Sequence, residues 1–287
     1  MAKDRRAVEH MHAVGHGGGY GMFGRQLEDG AGLNEMSPVS QWLGVARRLG
    51  TRALDAVLPP QCLACGEAVD RHGGLCAGCF SKLTFITRPY CCVCGVPIQV
   101  FDDDDAMCGA CIRERPTYRR ARGVFAYTDE GRDLVLKLKH ADRTDLAVHL
   151  AQWMMRDGGE LIRDCDVIVP VPIHRWRLAM RTFNQAALLA RAVSRLSGKP
   201  MIATALQRTK PTPSQGGLDR QARRRNVAGA FKVEAKAKLE GKAVLLIDDV
   251  LTTGATADAC SRALLRAGVG NVDVLVLARV PNPGGSV

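Results

Sequence analysis

Beyond residue 116 the apolar positions follow two alternating periods. Short continuous runs at Val124 to Tyr127, Val167 to Val169, Val244 to Ile247 and Val272 to Leu277 read as strands buried on both faces. Between them, Leu146, Leu150, Trp153 and Met154 make a helical stripe, and a long helix is expected over residues 184–196. Strands separated by helices predict an α/β fold, a parallel sheet with helices on both faces. In such a sheet the loop that follows a strand is where a ligand sits.

Before residue 116 the pattern differs. Residues 1–38 are rich in Gly and His, lack periodicity and read as a disordered extension, with Met36 offering an internal start. His10, His12 and His16 are spaced too irregularly to argue a metal site. Trp42, Leu43, Val45, Leu49, Leu54 and Val57 predict an amphipathic helix over 39–58, stopped at Pro59-Pro60. Residues 59–115 are organised by cysteine instead, and 116–287 form the α/β domain.

At 287 residues the chain can bury one substantial core plus a smaller module. No apolar run exceeds strand length, so no membrane span is expected. Arg5-Arg6 lacks the apolar stretch that a secretory signal needs, which argues for the cytoplasm. In a reducing compartment cysteines hold metal more readily than they form disulfides. Here the spacing repeats: Cys62-x-x-Cys65-Gly66 with Cys76-x-x-Cys79, then Cys91-x-x-Cys94-Gly95 with Cys108-x-x-Cys111. Each Gly lets a knuckle turn and aim backbone N–H groups at thiolate sulfur. Two structural zinc ions are expected, the first four cysteines on one and the second four on the other, although the spacing also permits a crossed pairing. An all-Cys shell leaves no open coordination position for catalysis. Cys92 reads as a bystander, Cys165 and Cys260 as core residues, and Asp102 to Asp105 as an exposed hairpin tip.

The candidate chemistry lies at Val244-Leu-Leu-Ile-Asp248-Asp249-Val-Leu-Thr252-Thr253-Gly254-Ala255-Thr256. A core strand runs into two carboxylates, then into a small hydroxyl-rich loop that opens a helix. The first N–H groups of that helix and its dipole suit a phosphate monoester, while Asp248 and Asp249 can accept hydrogen bonds from ring hydroxyls of a ribose. A nucleoside-triphosphate loop would need a Lys after the glycines, and none is present. Read without a ligand, the stretch is a strand end with solvated acids and a Thr-capped helix.

These thirteen positions resemble the PRPP-binding signature of type I phosphoribosyltransferases. Two further segments fit such a ligand. Val169-Pro170-Val171-Pro172-Ile173-His174-Arg175-Trp176-Arg177 is a stiff cationic loop after a strand, and Arg175, Arg177 and Arg181 suit a diphosphate. In Thr182-Phe183-Asn184-Gln185, an N-cap at Thr182 with Gln185 as its capping-box partner explains those two without a ligand as readily as binding does, while neither role needs Asn184. From Arg208 to Arg220, a Pro/Gly/Ser-rich basic stretch reads as a mobile loop before a basic helical turn, either an ordinary solvated loop or a lid that would bring Arg208 or Lys210 onto the leaving diphosphate.

The order VPVP-x-H-R-x-R, F-N-Q, R-x-K, I-D-D-V-x-T-T-G-A-T, behind a double zinc ribbon, is similar to the ComF family over Pro59 to Val280. The departure is Thr182, where many relatives carry Gly. The resemblance implies a type I phosphoribosyltransferase-like fold, PRPP binding at Thr252, Thr253, Gly254, Ala255 and Thr256 with Arg175, Arg177, Arg181 and Asn184, and catalytic roles for Asp248, Asp249, Arg208 and Lys210. It also implies Mg²⁺ accompanying PRPP and a link to DNA uptake. A rival reading is a binding or assembly protein for DNA uptake that keeps the fold without turnover. The net charge of +11 and the basic stretch Arg113, Arg115, Arg119, Arg120 and Arg122 suit single-stranded DNA, but the 5% aromatic content offers few stacking platforms.

Overall fold

In the computed structural model, residues 59–99, 104–138, 146–174, 183–210 and 220–281 are described. The expected extension over 1–38, the helix over 39–58, and Arg175, Arg177, Arg181 and Thr182 lie outside them. The elements are α1 (Ala77–Lys82), α2 (Gly109–Arg113), β1 (Ala121–Ala126), α3 (Asp129–Leu138), α4 (Leu146–Asp157), α5 (Gly159–Asp164), β2 (Val167–Pro170), α6 (Gln185–Ser197), β3 (Leu206–Arg208), α7 (Arg220–Val227), β4 (Phe231–Val233), α8 (Lys236–Leu239), β5 (Ala243–Leu251), α9 (Ala255–Arg266) and β6 (Asn271–Arg279).

Strands β1, β6, β5 and β2 lie side by side in that order and are all parallel, while β3 and β4 form a separate antiparallel pair. The apolar runs fill β5 because alternate residues meet different layers. Leu245 and Ile247 join a core with Leu150 and Met154 of α4 and Leu189 of α6; Val244 and Leu246 join a second core with Cys260 and Leu264 of α9. The expected parallel sheet covered on both faces is therefore present.

The cysteine-rich part closes this sheet. An edge strand with open N–H and C=O groups invites further pairing, yet every residue of β1 is buried. The reason is local: Ile86 N–H donates to Val124 O at 2.9 Å, Ala126 N–H to Thr84 O at 2.8 Å, and Ala121 N–H to Val93 O at 2.7 Å. Beneath them the Phe85 and Phe125 rings each meet Trp153 edge-on, at 5.6 and 6.5 Å. Cys91, Val93, Cys94, Val96 and Cys111 belong to the α9 core, whereas Leu63 and Leu83 of the first cysteine unit join the opposite one. At the other edge, Ile168 N–H donates to Pro200 O at 2.9 Å, and Ile202 N–H donates to Ile168 O at 3.0 Å.

Strand β5 is longer than its apolar run, continuing through Asp248 and Asp249 to Leu251, because β6 runs beside it as far as Arg279. One buried carboxylate holds the start of β6. Asp273, 2% exposed, accepts from Arg119 Nε at 3.0 Å, Arg119 Nη2 at 2.6 Å and Arg120 Nη2 at 2.8 Å. Burial alone would raise its pKa, but the two guanidinium groups outweigh it and hold the carboxyl below the usual aspartate range. The stabilisation is therefore fully present above the unfolded value of about 3.9 and is lost as the pH falls below it. Replacing Asp273 by Ala leaves two cations facing a buried gap and should cost about 3 kcal/mol, read from denaturant unfolding. Between about pH 5 and pH 2.5 the native chain should lose more stability than Asp273→Asn; equal slopes would refute this role.

Candidate functional site

The site is built where β5 and β2 end together. Pro170 is in register with Ile247, and Val171 N–H then donates to Ile247 O at 2.9 Å, so the proline loop after β2 leaves the sheet beside the acidic end of β5. Asp248 and Asp249 are half-buried there, and Asp248 Oδ1 accepts from Asp249 N–H at 2.9 Å. Thr252 and Thr253 follow, and Gly254 opens α9 with φ of 82°, supplying no side-chain cap. The first-turn amides of α9 thus face a loop whose cap position has no side chain. Gly254 is required twice over: an L residue is strained at that φ, and a Cβ there would come within 3.2 Å of the Tyr118 hydroxyl.

Asn184 also stands at this edge. Its Oδ1 accepts from Ala186 N–H at 3.1 Å, and its Nδ2 donates to Val171 O at 3.0 Å. Asn184 is therefore the N-cap of α6 and ties that cap to the proline loop, which explains it without a ligand. Gln185 is then the first residue of α6 and not its third, and it is buried. The sequence reading placed the helix start too early, because Thr-x-x-Gln matches a capping box by composition alone.

Arg208 departs from expectation as well. It lies on β3, 7% exposed, paired in register with Phe231 and with its guanidinium 5.6 Å from that ring. It is held on an antiparallel strand pair, while residues 211–219 of the expected loop lie outside the described residues. Lys210 Nζ donates to Ala228 O at 3.1 Å, at the turn between α7 and β4.

Both cysteine sets assemble as expected. The sulfur atoms of Cys62, Cys65, Cys76 and Cys79 lie within 4.8 Å of one another, and so do those of Cys91, Cys94, Cys108 and Cys111. Gly66 and Gly95, at φ of 83° and 66°, turn the two knuckles. Backbone N–H groups approach sulfur, Cys76 N–H to Cys62 Sγ at 3.3 Å and Cys94 N–H to Cys91 Sγ at 3.5 Å. Burial works against ionisation of Cys62, yet backbone donors at Cys65, Cys76 and Ala64 bring its thiol down to about 6. Burial and the neighbouring thiols push Cys79 up to about 12. Four thiols so close cannot all ionise without a cation among them, and a soft dication with tetrahedral preference fits. Cys92 stands apart, its Sγ directed to Asp105 O at 3.3 Å. Burial raises the Cys165 thiol to about 11 and also raises Cys260, as befits inert core thiols.

The basic stretch does not form one outward patch. Arg119 and Arg120 are engaged by Asp273, and Arg120 also donates to Asp164 at 2.7 Å. Arg122 is buried beside Glu160 at 2.8 Å, with its guanidinium over the Tyr90 ring at 4.7 Å. Arg113 and Arg115 stay exposed.

Two residues escaped the sequence reading. Tyr118 is buried against Gly254, and burial raises its phenol well above the ordinary range, so the group stays a neutral donor. Arg279, 3% exposed, ends β6 and reaches both Cys94 and the base of the Thr252–Thr256 loop. A lone Arg closing the apolar run Val274 to Ala278 was the available signal.

A family model described as a double zinc ribbon domain matches residues 53–112. Competence protein F of Haemophilus influenzae is 30% identical over 226 residues, covering 76% of this chain and 96% of that protein. DNA utilization protein YhgH of Escherichia coli strain K12 is 31% identical over 213 residues, 72% of this chain and 91% of its own length. Among solved structures, glutamine phosphoribosylpyrophosphate amidotransferase from B. subtilis aligns at 21% identity with a TM-score of 0.31, covering 52% of this chain and 28% of that one.

Protein purified under reducing conditions should carry two zinc ions per chain, and Cys76→Ser should lower that to about one by elemental analysis. A native content well below two would count against the paired Cys₄ sets. Gly254→Ala should lower stability by about 1–2 kcal/mol in thermal unfolding, because the strained φ and the Tyr118 contact act together.

Proposed function

This chain belongs to the ComF family, and on that premise we propose that it is a PRPP-binding, phosphoribosyltransferase-type protein acting on an unidentified acceptor. The observation that carries the reading is the corner at the end of β5, where half-buried Asp248 and Asp249 lead through Thr252 and Thr253 into the first turn of α9, with Gly254 at its N-cap and Ala255 N–H donating to Thr253 Oγ1 at 3.4 Å. In this reading the amides and hydroxyls of Thr252 to Thr256 hold the 5′-phosphate. Asp248 and Asp249 accept from the ribose hydroxyls. The proline loop after β2, held beside them, leads in sequence to Arg175 and Arg177, whose charge suits the diphosphate.

The chemistry needs little covalent help. The C1–O bond to diphosphate breaks with its electron pair leaving on oxygen, while the acceptor forms the new bond to C1. The chain contributes by holding both ends of the sugar and stabilising the charge that develops. The hard oxygen donors of Asp248 and Asp249, with the sugar and diphosphate oxygens, suit Mg²⁺, which when bound would neutralise diphosphate charge. Internal pairing of Arg119, Arg120 and Arg122 removes much of what favoured a purely DNA-binding role.

Calorimetric titration with PRPP and Mg²⁺ should show binding to the native chain and at least about a 30-fold weaker affinity for Asp248→Ala/Asp249→Ala, roughly 2 kcal/mol. Single-stranded DNA affinity over a salt series should not change between the two. Salt-dependent DNA binding without any PRPP binding would overturn the proposal in favour of a DNA-uptake binding or assembly protein.

A further inference from the structure

Between the second Cys₄ set and the first turn of α9 lies a cavity of about 550 Å³. Its walls come from both: Cys94 and Cys108 on one side, Thr253, Gly254 and Ala255 on the other, with Tyr118 between them. Arg279 joins the walls. Its Nε donates to Cys94 O at 3.1 Å, and its Nη2 lies 3.6 Å from Cys94 Sγ. Its Nη1 meets Leu251 O at 3.0 Å, Thr252 O at 2.6 Å and Val280 O at 2.9 Å. One buried guanidinium thus grips a metal-ligating residue and the two carbonyls at which the Thr252–Thr256 loop begins. Its backbone cannot yield easily, since Arg279 is in register with Leu251 and a Cβ on Gly123 would stand 2.9 Å from its own Cβ.

We propose that Arg279 is a positioning residue that makes the conformation of the Thr252–Thr256 loop depend on metal occupancy of the second Cys₄ set and not of the first. With the metal bound, Cys94 has one fixed place, and the guanidinium fork transmits that place to the Leu251 and Thr252 carbonyls. When the metal leaves, the four thiols separate, Cys94 moves, and the fork can no longer satisfy both ends. The first set lacks this route, because its unit packs through Leu63 and Leu83 into the core on the opposite face of the sheet. Coupling of this kind is reciprocal, so a ligand on the loop holds the second metal more firmly. Only that ligand half rests on the function proposed above.

Hydrogen exchange of the loop amides tests the mechanical half without any ligand. Cys76 and Cys108 are equivalent, each half-buried and each the N-cap of a short helix. In the full chain, Cys108→Ser should speed exchange over residues 252–256 by about tenfold or more, whereas Cys76→Ser should leave it within about twofold of native. Exchange in α4, on the opposite face, should stay native in Cys108→Ser. Arg279→Lys, which keeps the charge but loses the fork, should give the fast loop with both metals bound. Stepwise removal of zinc from the native chain with a chelator gives the same readout without substitution, the loop loosening only with the metal of the second set. Unchanged loop exchange in Cys108→Ser and in the depleted native chain, or equal acceleration by loss of either metal, overturns the proposal. The ligand half is read as zinc release: PRPP with Mg²⁺ should slow loss from the second set severalfold and leave the first unaffected. Should PRPP fail to bind at all, the functional reading falls while the exchange result still decides the role of Arg279.

Discussion

A parallel sheet must be covered on both faces and at both edges, and in this chain the cysteine-rich module supplies part of that cover. Residues 84–86 and Val93 bond to β1, and the second knuckle enters the same apolar core as α9. The module has little to stand on by itself, since its helices span only six and five residues. Its shape comes from two metal-centred knuckles, as expected where the apolar area is too small to fold a segment alone. The dependence runs both ways, because β1 would be an open edge without it.

That cover decides where the acidic corner stands. The β6 strand, held at its start by the Asp273 ion pairs and at its end by Arg279, gives β5 a partner beyond its apolar run. Asp248 and Asp249 are therefore fixed on a strand rather than borne on a loop, and the chain leaves the strand only at Thr252. A carboxylate pair anchored in this way loses less freedom when it engages hydroxyl groups, which is the advantage of a preorganised site.

The sheet strands, the helix over 185–197 and the eight metal-ligating cysteines were legible in the sequence, because each depends on local periodicity or short spacing, whereas their grouping into two sets of four, for which the spacing also allowed a crossed arrangement, came from the structure. The Asp248 to Thr256 corner was legible for the same reason: strand, carboxylates and loop are contiguous. What was not legible depends on contacts between distant segments. Asn184 looked like a ligand residue because nothing nearby required it, yet its partner is Val171, thirteen residues earlier. Arg119, Arg120 and Arg122 looked like a basic face because their acids, Asp164, Asp273 and Glu160, lie far along the chain. Arg208 looked mobile beside its Pro/Gly neighbours, but its antiparallel partner strand holds it.

The position of Arg279 follows from charge as well as shape. A zinc ion bound by four thiolates is net negative, and on the function proposed above the Thr252–Thr256 loop receives a second anion. Without a cation between them the two would repel across the cavity whose walls they share. A buried lysine could supply the charge, but its single ammonium could not reach the Cys94 carbonyl, the Cys94 sulfur and the Leu251 and Thr252 carbonyls together. The planar fork of arginine reaches all four, so one residue satisfies the polar groups of both walls and offsets the charge of one of them.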